Sequence, residues 1–372
     1  MKYQMETQCV SDAGNHSNSA IAQPITLSTN FERLPDGTYP SEFVYSRLDN
    51  PNRNQLEEKM AILEKGQVAF AFSSGMAATN AIFQGLQAGN HIIIPSDGFY
   101  STTDLANEFL YKWGIEVSRI EMTDLNSVKK AIRPNTALIW IETPSNPTLK
   151  ITDIAAIADL VRGKGIKIAV DNTWPSPILC NPLELGADFV MHSATKYIGG
   201  HGDVTGGIVV CKAADDFSEK IFKAQTLAGA VPSPFDCWLM NRGIKTLALR
   251  VKQQTENAVK LADYLASHSK VELVLYPGLV SHRGHEIAKR QMADYGAMLS
   301  VQIDGNAKNA LAVTGKLKLF TAATSLGGVE SLVEHRKSIE GENSPTPGNL
   351  LRVSVGIESA DDLIRDWEQA LG

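Results

Sequence analysis

The chain has 372 residues, a net charge of −6, and 43% hydrophobic and 20% charged residues, a length that suits two domains and a composition that suits an ordinary globular protein. Net negative charge without a lysine/arginine cluster excludes a nucleic-acid backbone binder. No apolar run approaches the roughly 20 residues needed to span a bilayer, and no basic-then-apolar leader opens the sequence. Cys9, Cys180, Cys211 and Cys237 are scattered without Cys-x-x-Cys spacing. They read as free thiols in a reducing compartment, the cytoplasm, and not as a metal site.

Residues 1–50 are rich in Ser, Asn and Pro and read as an extended arm, with Pro24–Thr29 its ordered piece. Leu56, Met60 and Leu63 then recur at helical spacing, and Gly66 stands where a C-terminal cap belongs. Val68–Phe72 reads as a strand, and a helix opens near Gly75. Further apolar strands follow at His91–Pro95, Glu116–Ile120, Ala137–Ile141, Ile166–Val170, Phe189–His192 and Gly207–Cys211. Helices such as Ser127–Ile132 and Ile154–Val161 lie between them. This alternation predicts an α/β fold with a mainly parallel sheet covered on both faces, its chemistry on loops at the carboxyl ends of the strands. Gly and Pro break the pattern around Ala228–Pro234. A long helix over Lys245–Ser267, short strands and a last helix over Asp361–Leu371 make a smaller C-terminal α/β domain. The expected division is an arm at 1–50, a cofactor-binding domain at 51–234 and a C-terminal domain at 235–372.

Two residues at strand ends carry the chemical signal. Lys196 lies between an apolar strand and a Gly-rich turn, where a free ammonium is costly to bury. Asp171 closes the strand Lys167–Val170. A lysine able to form a Schiff base and an acid able to protonate a pyridine nitrogen are what pyridoxal 5′-phosphate (PLP) requires of a protein. Ser73-Ser74-Gly75-Met76-Ala77-Ala78 runs from a turn into a helix, whose N-terminus attracts phosphate; it reads also as a simple N-capped helix. Ser193 and Thr195 offer further phosphate donors or bonds to nearby backbone. Asp171 alone could cap a turn, and Lys196 alone could snorkel from a loop. Arg352, inside Leu350–Ile357, is either a solvated edge residue or a fork for a carboxylate. Tyr100 is either a core tyrosine or a ring stacked on a cofactor.

Taken in order, these segments resemble the Cys/Met-metabolism family of PLP enzymes. This trans-sulfuration group includes cystathionine γ-synthase, cystathionine lyases, methionine γ-lyase and homoserine-ester sulfhydrylases. The resemblance runs from about Pro24 to the C-terminus. It rests on Tyr45-Ser46-Arg47, Asn50-Pro51, Ser73–Ala78, Glu142-Thr143-Pro144-Ser145-Asn146-Pro147, Asp171-Asn172-Thr173, Ser193–Gly207, Ser325–Leu332 and Leu351–Gly356. It implies fold type I of the PLP-dependent transferases. It also implies that Lys196 holds the cofactor and moves protons, and that Asp171 pairs with the ring nitrogen. Gly75, Met76, Ser193 and Thr195 are implied to hold the phosphate. Tyr45 and Arg47 are implied to reach the phosphate of a neighbouring subunit, which makes the assembly a homotetramer of dimers with shared sites. Tyr100 is implied to stack on the ring and assist catalysis, Asn146 to contact the cofactor and the substrate carboxylate, and Arg352 to clamp that carboxylate with help from Ser325.

The chain departs from the family pattern in places. Leu105 stands where many relatives have arginine, Thr324 where γ-enzymes often have glutamate, and Asn52 where threonine is usual. Arg336 replaces a proline and is either a compensating contact to a distal carboxylate or a plain surface arginine. The expected activity is elimination or replacement at the γ- or β-carbon of a sulfur amino acid or O-acyl homoserine, of the cystathionine γ-synthase/lyase type. The alternatives are β-lyase, methionine γ-lyase or sulfhydrylase chemistry. A dehydrogenase-like nucleotide binder would need Gly-x-Gly-x-x-Gly after the first strand, which is missing. A non-catalytic relative should have lost Lys196 or Asp171, and both are present.

Overall fold

The computed structural model describes residues 3–11, 20–342 and 344–372. In chain order, the elements up to the lysine loop are α1 (Met5–Val10), α2 (Pro51–Glu64), β1 (Val68–Phe72), α3 (Gly75–Gln84), β2 (His91–Pro95), α4 (Tyr100–Leu105), β3 (Glu116–Ile120), α5 (Leu125–Ala131), β4 (Thr136–Glu142), α6 (Ile154–Val161), β5 (Lys167–Asp171), α7 (Ser176–Leu179) and β6 (Phe189–Ser193). After it come β7 (Gly207–Cys211), α8 (Asp216–Ala228), α9 (Pro234–Ile244), α10 (Leu247–Ala266), β8 (Val271–Leu275), α11 (His285–Gln291), β9 (Met298–Ile303), α12 (Ala307–Thr314), β10 (Thr321–Ala322), β11 (Leu332–His335), α13 (Arg336–Glu340), β12 (Leu350–Ser354) and α14 (Ala360–Leu371).

The larger sheet has the order β1-β7-β6-β5-β4-β2-β3. Neighbours from β6 to β3 run parallel, whereas β7 is antiparallel to both β6 and β1. Its central strands are apolar on both faces because helices cover both, whereas the edge strand β3 (Glu116-Val117-Ser118-Arg119-Ile120) has no buried residue. Ile93, Ile139, Val170 and Val190 enter one core cluster, while Ile92, Ile94, Trp140, Ala169 and Met191 enter the other. Alternate side chains point to opposite faces, so a strand buried on both faces must be apolar throughout. The second sheet has the order β10-β11-β12-β9-β8. It shares the first core cluster through Leu299, Val301, Val333 and Val353.

Several details differ from the sequence reading. The arm contains α1, whose Cys9 is buried; residues 12–19 of the expected arm lie outside the described residues. Pro24–Thr29 is tied down as expected, with Thr26 N donating to Asn52 Oδ1 at 2.8 Å and Asn50 Nδ2 donating to Thr26 O at 3.0 Å. Helix α9 opens where Gly and Pro suggested a break, because Pro234 sits at its first turn behind a Ser233–Asp236 capping box. The left-handed residue closing α2 is Lys65, with φ 61°, and not Gly66. Gly66 is required for space, since a Cβ there would lie 2.4 Å from Val210 Cγ1. No helix of the described residues is long and apolar enough to cross a membrane.

Candidate active site

The carboxyl ends of the central strands open into a cavity of about 280 Å³. Asp171 ends β5, Glu142 ends β4 beside it, and Ser193 ends β6 opposite Gly207. The cavity is lined by Gly75, Met76, Tyr100, Asn146, Asp171, Ser193, Thr195, Lys196, Ser325 and Arg352. Ten of the twelve residues expected at the site are thus brought together within one subunit.

Lys196 Nζ donates to Ser325 Oγ at 2.8 Å. Burial lowers its pKa to about 8, and the nearby guanidinium of Arg352, with that of Arg336, pushes in the same direction against Glu334. Ser325 holds its hydroxyl there from a backbone φ of 98°, a left-handed conformation that costs a non-glycine residue roughly 1–3 kcal/mol. The Ser325 carbonyl accepts from Arg352 Nη2 at 3.2 Å, so one residue touches both the amine and the guanidinium.

Arg352 is only 4% exposed, so it is not a solvated edge residue. Its Nη1 donates to Asn146 Oδ1 at 3.1 Å and its Nη2 to Glu334 Oε2 at 2.6 Å, directly across the β11–β12 pair. Burial alone would raise the Glu334 carboxyl, but Arg352, Thr324 and Arg336 together hold it below the usual range. Glu334 Oε2 also accepts from Arg336 Nη1 at 2.7 Å. Arg336 is 3% exposed and lines the cavity, so it is no surface arginine.

In the same cavity, Asp171 and Glu142 are adjacent carboxylates, Glu142 buried and Asp171 half-buried. Asp171 Oδ1 accepts from Thr173 N at 3.0 Å; Glu142 accepts from Phe99 N at 2.6 Å and Asn146 N at 3.0 Å. Neither has an ion-pair partner among the described residues. Burial raises both carboxyls, Glu142 further because Asp171 faces it. A cationic group placed beside Asp171 would favour its charged form. The N-terminus of α3 opens onto the same cavity through Ser74, Gly75 and Met76. Ser74 caps it, accepting from Ala77 N at 3.1 Å. A Cβ on Gly75 would lie 2.9 Å from Ser193 Cβ, and one on Gly207 would lie 2.1 Å from Ser74 O. Glycine is required at both positions because backbone and hydroxyls converge closely around the helix end. An acid for a ring nitrogen, an anion cradle and a depressed lysine therefore fit PLP.

Tyr45 and Arg47 are absent from the cavity lining. Arg47 Nη1 donates to Thr226 O at 2.5 Å, its guanidinium stands 5.6 Å from the Tyr45 ring centre, and Tyr45 is 41% exposed. Leu105 ends α4 and packs against the second core cluster, away from the cavity. Thr324 lines the cavity and donates to Glu334. Sequence reasoning gave no role to Glu142, Thr205 or Glu334. Glu142 was legible in principle, since it ends its strand in register with Asp171. Glu334 depends on the β11–β12 pairing, which no local pattern announces.

The family model for "Cys/Met metabolism PLP-dependent enzyme" matches residues 6–372. The chain belongs to this family. Among its relatives, the cystathionine gamma-synthase of Mycobacterium tuberculosis (strain ATCC 25618 / H37Rv) is 46% identical over 362 residues, covering 96% of this chain and 93% of the relative. The cystathionine gamma-lyase of Bacillus subtilis (strain 168) is 43% identical over 366 residues, covering 96% of each. The crystal structure of metB from Corynebacterium glutamicum superposes with a TM-score of 0.96 at 42% identity, covering 99% of this chain and 98% of that one. The chain is therefore a PLP-dependent enzyme of the trans-sulfuration group with the α/β fold of that family.

Proposed function

We propose that this enzyme eliminates or replaces the γ- or β-substituent of a sulfur amino acid or an O-acyl homoserine, in the manner of cystathionine γ-synthase and γ-lyase. The observation that carries this reading is the Lys196–Ser325–Arg352 arrangement, which sets a depressed amine beside a buried guanidinium in one cavity. PLP, when bound, acts as the electron sink for a negative charge at the substrate α-carbon.

The chain's own residues supply the rest. Asp171 would hold the ring nitrogen, with Gly75, Met76, Ser193 and Thr195 around the phosphate and Tyr100 over the ring. Tyr45 and Arg47 serve the site of a neighbouring subunit, within a homotetramer. Asn146 and Arg352, with Ser325, receive the α-carboxylate, which fixes the α-carbon near Lys196. The Lys196 amine takes the α-proton and delivers it to a neighbouring carbon or to the departing group; its pKa of about 8 suits both directions near neutral pH. The four buried free cysteines fit a reducing cytoplasm.

A substrate panel tests the reaction. The loaded enzyme is offered cystathionine, methionine, cysteine, and O-acyl homoserine with cysteine. Thioether formation from the ester marks a synthase, whereas ammonia and a 2-oxo acid mark a lyase. Methanethiol from methionine, or β-cleavage of cystathionine, would move the assignment to the alternatives. No product from any of them would end the proposal.

A further inference from the structure

Helix α10 carries a buried stripe that is polar where such a stripe is ordinarily apolar. Arg250, Gln254 and Asn257 follow one another at i, i+4 and i+7, so they share one face, and all three are buried. Each directs its donors at backbone carbonyls. Arg250 Nη1 donates to Tyr197 O and Nη2 to Gly243 O, both at 2.8 Å. Gln254 Nε2 donates to Gly328 O at 2.6 Å. Asn257 Nδ2 donates to Gly356 O at 3.0 Å and to Glu358 O at 2.7 Å. Tyr197 follows Lys196 directly, Gly328 closes the turn that begins at Ser325, and Gly356 follows the strand of Arg352. The stripe is costly in itself. Arg250 bonds only to neutral acceptors among the described residues, the third being Thr246 Oγ1 at 3.2 Å, and burial lowers its pKa to about 10. Because Gly328 O is an acceptor, Gln254 must present Nε2 to it, and its Oε1 is left buried without a hydrogen bond. What these groups supply is placement. The turn Lys196–Gly200, closed by Gly200 N donating to Lys196 O at 2.8 Å, wraps the guanidinium so closely that a Cβ on Gly200 would lie 2.1 Å from Arg250 Nη1.

We infer that Arg250, Gln254 and Asn257 are positioning residues: one rigid helix face sets where Lys196, which follows β6 of the larger sheet, stands against Ser325 and Arg352, which belong with the second sheet. The inference rests on the reading that Lys196 moves the α-proton while Arg352 holds the α-carboxylate. The two groups must then keep a fixed separation although they come from different sheets, and α10 grips the backbone beside each. A misplacement of about 1 Å between a reacting group and its substrate costs up to roughly 100-fold in rate.

Gln254→Met tests this, since it removes the grip on Gly328 O, and the unpartnered oxygen with it, at similar shape and unchanged charge. L-norvaline has no leaving group, so exchange of its α-hydrogen with D2O on the PLP-loaded enzyme reports proton transfer alone, whatever the substrate panel shows. In Gln254→Met the saturating exchange rate should fall about 10- to 100-fold. KM should change less than about threefold, because Asn257 still holds the strand of Arg352. The second readout is the pH midpoint for PLP uptake by cofactor-stripped protein, which Lys196 governs within the field of Arg352, Arg336 and Glu334. It should rise by about half a pH unit or more, because the amine loses burial and the Arg352 guanidinium recedes. Arg250→Lys, which still reaches one carbonyl, should show smaller changes in the same directions, and it decides the matter if Gln254→Met does not fold. Leu261→Val, in the core on the same helix, should lower the unfolding temperature and leave both readouts unchanged. Wild-type rate and midpoint in Gln254→Met would overturn the inference. So would equal losses in Leu261→Val, which would mean that any loosening of α10 suffices. No exchange by the wild-type enzyme would instead count against Lys196 as the proton carrier, and the midpoint alone would then judge the stripe.

Discussion

With its pKa lowered to about 8 in the fold, against an ordinary value of 10.5, the Lys196 amine is half neutral at a pH of about 8. Uptake of PLP by cofactor-stripped protein should therefore rise as pH passes about 8 and level off above it, followed as appearance of the bound-cofactor absorbance. A midpoint near 10.5 would mean that burial does not govern this amine. Arg336→Met removes one of the positive charges that oppose protonation and should move the midpoint upward. At Arg352 the expectation is a binding effect. Arg352→Ala removes the buried fork and should raise KM by roughly 10- to 100-fold, from the loss of a charged hydrogen-bond pair, with a smaller change in kcat. A loss confined to kcat would argue that the guanidinium acts on the reacting atoms instead. Asp171 and Arg352 were visible as candidates in the sequence because one ends and the other interrupts an apolar strand, and Lys196 because it lies between such a strand and a Gly-rich turn. Glu334 and the burial of Arg336 were not, because both arise from a strand pair and a helix start that meet only in three dimensions.

Among the elements, the strands of the larger sheet were the most legible. Val68–Phe72, His91–Pro95, Glu116–Ile120 and Gly207–Cys211 match their predicted spans; burial on both faces leaves an unbroken apolar run in the inner strands, while Glu116–Ile120 is an edge strand of mixed polarity. Strand direction was not legible. Nothing in Gly207–Cys211 says that β7 runs against β6, yet that reversal brings Gly207 beside Ser193 and under the first turn of α3. Helix α1 escaped notice because six residues cannot display a helical period, and its stability comes from docking. The α3–β7 contact is where an element-scale test belongs. In Gly207→Ala the added methyl meets Ser74 O at 2.1 Å, so the cap of α3 must shift. Overpacking of this kind costs about 1–3 kcal/mol. Thermal unfolding of the loaded enzyme should show the loss, and PLP affinity should fall with it. Unchanged affinity would separate the α3 N-terminus from the phosphate site.

For the whole molecule, the open question is where Tyr45 and Arg47 act. Both lie outside the cavity of their own subunit, on a segment joined to the rest by bonds that include Arg47 to Thr226 O and Arg53 to Ser46 O. If they complete a neighbour's site, two inactive proteins should rescue each other. Lys196→Ala should lower kcat by about 10²- to 10⁴-fold or more, the range for loss of a proton-transferring group. Arg47→Ala should weaken PLP retention. Subunits mixed after mild dissociation should regain activity, approaching a quarter of wild type for random pairing in dimers. Absence of any rescue, with mixed assemblies demonstrated by mass, would assign both residues to their own subunit.

Glu334 stands between two arginines and accepts from both through one oxygen. Loss of this carboxylate alone would leave two buried cations facing each other. Glu334→Gln should therefore destabilise the protein more than the same change made together with Arg336→Met, because the second substitution relieves the repulsion that the first creates.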